Sequence, residues 1–108
     1  MVKPVAGEIV VIPFPRGDSE KRRPALVIAD LPGADLILCQ ITSRAHWDAF
    51  AVPLDKSDCE RGGVGQPSFI RPQRLFTVEQ RICLRTVGKV SAEKFDEVFK
   101  KARALLVD

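Results

Sequence analysis

Two short polar pairs adjoin two apolar runs of the sequence. Arg22 and Arg23 precede the apolar run at residues 25–29, and a second apolar run ends in Thr42 and Ser43. If the two runs are neighbouring strands, an arginine and a hydroxyl group come together where the strands end. A guanidinium matches the geometry of phosphate, and a hydroxyl group can orient a phosphate oxygen or a ribose. The pattern indicates nucleic-acid chemistry.

Length and charge limit that interpretation. The chain has 108 residues, which we expect to form one domain over residues 1–108 with a single core. Its net charge of +3 is modest for a nucleic-acid-binding protein, so the distribution of charge matters more than its sum. Residues 16–23 contain four basic and two acidic side chains, and residues 71–85 contain four arginines and one glutamate. These segments form a basic groove if the fold brings them together, and a scattered solvated surface otherwise.

The cysteines indicate a reducing compartment. Cys39, Cys59 and Cys83 cannot all pair within the chain, and no CxxC motif is present. Their spacing with His46 matches no zinc-ligand pattern, so we expect no metal. The glycine-rich stretch at residues 62–65 is not followed by the Lys-Ser or Lys-Thr pair of a nucleotide-binding loop, so we expect no cofactor either. Because no apolar stretch approaches the roughly 20 residues of a membrane span and no signal-peptide core is present, we expect a cytoplasmic protein.

Short β-type runs dominate the first part of the chain. Glycines and prolines separate them, which is typical of strands joined by turns. The fold class that we expect is mainly β with a C-terminal helix, as a small β-barrel that closes on itself and so removes its exposed edges. The expected strands lie at residues 8–14, 25–29, 36–42, 50–54, 68–70, 74–78 and 85–90, with a polar loop at residues 16–22.

The last segment changes to helical periodicity. Ser91 is suited to the N-cap of this helix. The apolar residues recur at spacings of three and four and form one stripe: Phe95, Val98, Phe99, Ala102, Leu105 and Leu106. We expect the stripe to cover one open face of the barrel, with Phe95 and Phe99 each contributing about 1.5 to 3 kcal/mol by burial. A partner-binding surface is the alternative interpretation.

Six short motifs follow one another in a specific order along nearly the whole chain. They lie at residues 7–10 (GEIV), 23–27 (RPALV), 40–43 (QITS), 68–71 (SFIR), 75–77 (LFT) and 87–90 (VGKV). Each motif is weak alone, but their order and spacing together are specific. On these motifs the chain resembles the PemK/MazF-like toxins of bacterial toxin-antitoxin systems.

The resemblance implies a fold and an activity. The fold is an SH3-like small β-barrel of the PemK/CcdB type, usually present as a homodimer. The activity is metal-independent cleavage of single-stranded RNA, for which the chemistry is attack of a ribose 2′-hydroxyl group on the neighbouring phosphorus. A cognate antitoxin inhibits the toxin, and the resemblance further implies DNA binding in complex with that antitoxin.

The resemblance also assigns roles to individual residues. Arg23 is similar to the family's catalytic arginine, and Thr42 is similar to its second catalytic residue. Arg71 is similar to an arginine that contacts or acts on the scissile phosphate in some members, and Ser43 is a further candidate for that contact. In those members an aspartate follows the arginine two positions later, whereas this chain has Gln73, which cannot take a proton.

The general base and the RNA contacts are less clearly marked. His46, with an ordinary pKa of about 6.5, is one candidate for the base, and Asp18 and Glu20 are the others. Trp47 and Phe50 could stack on an unpaired base. The alternative is that Phe50 points into the barrel and Trp47 only shields a loop. The residues expected to bind RNA are Arg16, Lys21, Arg22, Arg44, Trp47, Gln73 and Arg74.

Two functions of other classes stay open. A barrel toxin of the same type could act without catalysis by binding a protein such as DNA gyrase, but that role would not call for a phosphate site at Arg23 and Thr42. The second is an interaction module whose arginines pair with an acidic partner. Likeness of fold alone does not choose between them, because function resides in the site.

Overall fold

The described residues form one antiparallel sheet and one α-helix. The computed structural model describes residues 2–16, 19–44 and 48–107, with the backbone alone at residues 15, 16, 19 and 20. The strands are β1 (Glu8–Arg16), β2 (Ser19–Asp30), β3 (Asp35–Thr42), β4 (Val52–Leu54), β5 (Cys59–Gly62), β6 (Ser68–Glu79) and β7 (Arg85–Val90), and α1 spans Ala92–Leu106. The expected class, mainly β with a C-terminal helix, is confirmed. No helix in these ranges has the length and apolar character needed to cross a membrane.

The sheet curls into a half-barrel, and the expectation that its strands close on themselves is wrong for the described residues. Its strand order is β4-β6-β3-β2-β1-β7-β5, so β4 and β5 are the edge strands. In the described part of the chain these edges are joined through the start of α1 and not by a ladder. The Ser91 N–H donates to the Asp58 carbonyl at 2.7 Å, next to β5. Lys94 Nζ donates to the Pro53 carbonyl at 2.9 Å, in β4.

Each face of the sheet carries its own apolar cluster, because side chains alternate between the faces of a strand. One cluster contains Ile9, Leu26, Cys39, Ile41, Val52, Leu54, Ile70 and Val90 and is joined by Val98 of α1. The other contains Val10, Ile12, Ala25, Val27, Leu36, Leu38 and Cys83. Strands that are buried on both faces give continuous apolar runs, which explains the sequence at residues 25–29 and 36–42.

The polar loop expected at residues 16–22 is wrong for Arg16 and for residues 19–22, which lie in strands. β1 and β2 pair without interruption from Ile9 and Leu26 to Arg16 and Ser19, so the two strands form one long hairpin. Polar residues are tolerated in this part of β2 because it extends beyond the apolar cluster, and Lys21 is exposed. The strands expected at residues 68–70 and 74–78 are likewise one bulged strand, β6.

The helix is placed as expected but is less buried than expected. Ser91 is its N-cap, and only Val98 and Ala102 of α1 are buried. Phe99 is 45% exposed, so the expectation that it would be buried against the barrel is wrong. The Phe99 ring instead stacks on Phe95, with ring centroids 6.2 Å apart. Phe95 packs against the core and so separates Phe99 from it.

Gly62 lies where β5 approaches β7 most closely. Its φ is +62°, and a Cβ atom there would lie 2.1 Å from the Val87 carbonyl oxygen. A left-handed conformation costs a non-glycine residue about 1 to 2 kcal/mol, and this collision adds to that cost. Gly62→Ala should therefore lower the free energy of unfolding, measured in urea, by more than this amount.

Gly33→Ala is the matched control for that variant. Gly33 has a φ of +80°, and no atom lies within 4 Å of its added Cβ. The Gly33→Ala variant should lose only the free energy of unfolding that a left-handed conformation costs a non-glycine residue. Equal losses for the two variants would contradict the close approach of β5 to β7.

Candidate active site

The ladder between β2 and β3 ends next to a proline. Its last pair is Ala25 with Gln40, and Pro24, which has no N–H to donate, is the next residue of β2. Continuing the register by two residues brings Arg23 opposite Thr42. Both side chains lie on the face that holds the second apolar cluster, because steps of two lead from Ala25 to Arg23 and from Gln40 to Thr42.

Arg23 and Thr42 line two adjoining clefts that together we call the basic groove. The first cleft, of about 260 Å³, is lined by Lys21, Arg22, Arg23, Pro24, Ile41, Thr42, Ser43, Arg44, Val64, Gln66 and Ser68. The second, of about 330 Å³, is lined by Phe14, Arg23, Gln40, Thr42, Arg44, Arg71 and Arg74. The clefts are continuous because they share Arg23, Thr42 and Arg44. Every ionisable residue among these lining residues is an arginine or a lysine, so the groove is suited to a polyanion.

Each of the two central side chains of the groove is in contact with a neighbouring residue. The Arg23 guanidinium lies over the Phe14 ring, 5.9 Å from its centroid, which is a cation–π arrangement. The Thr42 side chain is nearly buried, and its Oγ1 accepts a hydrogen bond from the Arg44 N–H at 3.2 Å. Because that bond uses a lone pair of the hydroxyl group, the hydroxyl proton can still be donated to a ligand.

A bulge in β6 places Arg71 at the groove. Cys39 of β3 pairs with Leu75, but the next residue, Gln40, pairs with Arg71, so residues 72–74 protrude from the ladder. The Cys39 thiol donates to the Arg71 carbonyl oxygen at 2.9 Å. Burial raises the pKa of Cys39 to about 12, more than this hydrogen bond lowers it. The thiol therefore stays neutral and holds the backbone of the bulge.

Asp48 holds the side chain of Arg71 and was not found from the sequence. Its Oδ2 accepts hydrogen bonds from Arg71 Nε at 3.0 Å and from Gln73 Nε2 at 2.6 Å. Its Oδ1 accepts one from the Phe50 N–H at 2.9 Å. The Phe50 N–H, followed by Gln73 and Arg71, lowers the pKa of Asp48, while burial opposes this shift. The one signal in the sequence was Gln73, which stands where some family members have an aspartate two positions after the arginine.

The remaining candidates divide into three groups. Five of them line the groove, namely Lys21, Arg22, Ser43, Arg44 and Arg74. Gln73 contacts Asp48 and is not among the lining residues. His46, Trp47 and Asp18 lie outside the described residues, as do the side chains of Arg16 and Glu20.

Phe50 and Arg81 do not lie where the sequence analysis placed them. Phe50 is 44% exposed, so the interpretation that it points into the barrel is wrong. Arg81 does not reach the groove and pairs instead with Glu79, with Nε and Oε2 2.7 Å apart. The arginines of residues 71–85 therefore gather only in part, through Arg71 and Arg74.

The sequence match explains why the motifs and this geometry occur together. Residues 6–106 match the family of PemK-like, MazF-like toxins of type II toxin-antitoxin systems. The chain belongs to this family. No curated protein sequence matches the chain.

Solved structures of MazF toxins share the fold of this PemK/MazF-like chain. A chain of the MazE–MazF complex from Deinococcus radiodurans is similar with a TM-score of 0.80 and 24% identity, over 97% of each chain. The Mycobacterium tuberculosis toxin MazF-mt6 has a TM-score of 0.73 and 21% identity, over 94% of this chain and 98% of that chain. An endoribonuclease from a mycobacterial species, solved with its cognate antitoxin, has a TM-score of 0.75 and 14% identity, over 95% of this chain and 94% of that chain. At these identities the likeness concerns the fold.

The low pKa of Asp48 makes part of the stability depend on pH. A carboxyl group whose pKa is lower in the folded chain stabilises the fold above its unfolded-state pKa of about 3.9, and this contribution is lost as pH falls through the folded-state pKa. The difference in unfolding free energy between wild type and Asp48→Asn should therefore be largest at neutral pH and shrink below about pH 4. Urea unfolding at several pH values measures it. A difference independent of pH would contradict the contacts of Asp48.

Proposed function

We propose that this toxin is an endoribonuclease that cleaves single-stranded RNA without a metal ion, by attack of a ribose 2′-hydroxyl group on the adjacent phosphorus. The observation that supports this most strongly is the convergence of Arg23, Thr42 and Arg71 on one groove, whose ionisable lining residues in the described part of the chain are all cations. The products are a 2′,3′-cyclic phosphate and a free 5′-hydroxyl group.

Arg23 and Arg71 stabilise the charge that develops on the phosphoryl oxygens. Negative charge increases there as the 2′-oxygen bonds to phosphorus, and fixed cationic donors stabilise it without reorganising. Arg23 is held by Phe14, and Arg71 is held by Asp48, so both are ordered before RNA binds. Thr42 donates its hydroxyl proton to a phosphoryl oxygen or to the ribose and so orients the scissile bond.

Two proton transfers complete the reaction. The 2′-hydroxyl group loses its proton as its oxygen attacks, and the 5′-oxygen gains one as its bond to phosphorus breaks. Arginines are unsuited to accept the first proton because a guanidinium stays protonated in proteins. We assign that role to His46, a few positions after Thr42, with Asp18 and Glu20 as the alternatives.

The family and its solved complexes support a cognate antitoxin as the partner. The similar Deinococcus radiodurans toxin is part of a MazE–MazF complex, and the similar mycobacterial endoribonuclease was solved with its antitoxin. We propose that an acidic antitoxin segment folds onto the basic groove and so excludes RNA. We also propose that the chain acts as one domain over residues 1–108, as a homodimer in the cytoplasm. A light-scattering mass of one chain at micromolar concentration would contradict the homodimer.

Cleavage should depend on Arg23 and Thr42. In excess EDTA, the wild-type protein should cut a long single-stranded RNA into specific fragments that end in cyclic phosphate. Arg23→Ala and Thr42→Val should each lower the cleavage rate by about a hundredfold or more, because each removes a donor to the developing charge. Gel analysis and mass spectrometry of the fragment ends measure both effects.

Arg81→Ala is the matched control for loss of an arginine, because Arg81 pairs with Glu79 outside the groove. It should leave the rate unchanged. An RNA carrying 2′-O-methyl groups should resist all of the proteins, since it lacks the attacking hydroxyl group. If the RNA stays intact with every protein and the wild-type protein binds DNA gyrase tightly, the proposed nuclease is refuted. The alternative, a toxin that acts by binding a protein, is then supported.

Binding of the 2′-O-methyl RNA should weaken with salt. Each neutralised phosphate of a single strand contributes about −0.7 to the slope of log K against log salt concentration. Arg74 is exposed and lines the groove, so Arg74→Ala should reduce the magnitude of the slope by about that amount. Lys100→Ala, on α1 and paired with Asp96, is the control and should leave it unchanged. Equal slopes for wild type and Arg74→Ala would remove Arg74 from the RNA interface.

A further inference from the structure

We propose that Asp48 is a positioning residue for Arg71, acting together with Gln73 to hold the arginine at the basic groove. This inference rests on the proposed RNA cleavage, because Arg71 is the residue through which Asp48 would act. Asp48 lies in the connection between β3 and β4, at a position outside the family motifs of this sequence.

The contacts of Arg71 orient its guanidinium. Nε donates to Asp48 Oδ2 at 3.0 Å, and Nη1 lies 3.4 Å from Gln40 Oε1. The two contacts are made by different atoms of the planar group, so together they limit its rotation. Arg71 nevertheless lines the groove with Arg23, which leaves it able to meet a phosphate. A preorganised arginine stabilises a transition state better than one that must reorganise.

The ion pair is sheltered, which separates it from ordinary surface pairs. The side chains of Asp48 and Arg71 are only 10% and 22% exposed. Exposed pairs contribute little and vary in geometry because long side chains lose entropy when they are fixed. A sheltered pair with additional hydrogen bonds keeps one geometry, and that is the property required of a positioning contact.

The side-chain amide of Gln73 is oriented so that its N–H group donates to Asp48. Its Nε2 donates to Asp48, while its Oε1 is buried without a hydrogen-bond partner among the described residues. A buried polar atom without a partner is unfavourable, so this orientation needs a compensating contact. The reverse orientation would place the amide oxygen against the carboxylate. Gln73 thus fixes the carboxylate, which in turn fixes Arg71.

Asp48 itself is poorly suited to accept the proton of the 2′-hydroxyl group. Its two oxygens accept from Arg71, Gln73 and the Phe50 N–H, so the charged form is the one that its surroundings favour. A carboxylate held in this way acts on its neighbours through geometry and charge. Its influence on the reaction should therefore pass through Arg71.

The test is a double-mutant cycle that combines Asp48→Asn with Arg71→Ala. Asp48→Asn keeps the shape of the side chain but replaces one acceptor oxygen by an amide. We expect it to lower kcat by about tenfold to a hundredfold, the cost of misplacing a catalytic group, with a smaller change in KM. If Asp48 acts through Arg71, the double variant should be no slower than Arg71→Ala alone.

The affinity for 2′-O-methyl RNA is measured for the same four proteins. This readout does not need cleavage, so it separates the inference from the proposed nuclease activity. We expect the losses of affinity in the two single variants to be non-additive as well. Asp96→Asn is the control for loss of a carboxylate, since Asp96 pairs with Lys100 on α1, and it should change neither readout.

The outcomes are distinguishable. If the losses of the two single variants add in the double variant, both in cleavage rate and in RNA affinity, the inference is overturned. Asp48 is then a structural residue. Wild-type activity in Asp48→Asn would overturn it also. A wild-type protein that binds RNA but does not cut it, with non-additive losses of affinity, would refute the nuclease and support the positioning role.

Discussion

The end of the β2–β3 ladder at Pro24 is the constraint on which the site depends. Two central strands of a curled sheet would ordinarily continue to exchange hydrogen bonds to their ends. A proline cannot donate a backbone hydrogen bond, so the ladder stops at Ala25 and Gln40. Arg23 and Thr42, two residues further on, still share a face but are released from the ladder. Their backbones stay paired on the other side, Arg23 with Ile12 of β1 and Thr42 with Phe69 of β6. Their side chains are thus presented to a ligand from a rigid sheet.

The same face of the sheet serves as core and as site. Along β3, Leu36 and Leu38 are buried, and the next residues on that face are Gln40 and Thr42. The change from apolar to polar side chains occurs without any change in backbone direction. The groove residues of β3 are therefore held by the same rigid strand that forms the core. Arg71 is added to this face only because the bulge at residues 72–74 alters the register of β6.

The helix has a different task from the one suggested by its apolar stripe. Its first turn joins the two edges of the half-barrel through Ser91 and Lys94, and Val98 completes one core. The remaining apolar residues exceed the area that the sheet offers to α1. The stripe was therefore a correct guide to the helix and a poor guide to its burial, since periodicity defines a face but does not state how wide a surface that face will meet.

Local features of the sequence determined the class of the fold and the two polar pairs of the site. Alternation, turn residues and the cap at Ser91 are short-range, and so are the two pairs at the ends of neighbouring apolar runs. The choice of Arg23 and Thr42 within those pairs came from the family resemblance. Asp48 could not be identified in this way, because it approaches Arg71 from a loop 23 residues away in the chain. The bulge at residues 72–74, the open edges and the exposure of Phe99 likewise depend on register and on which surfaces meet. Those are long-range relations, and only the tertiary structure decides them.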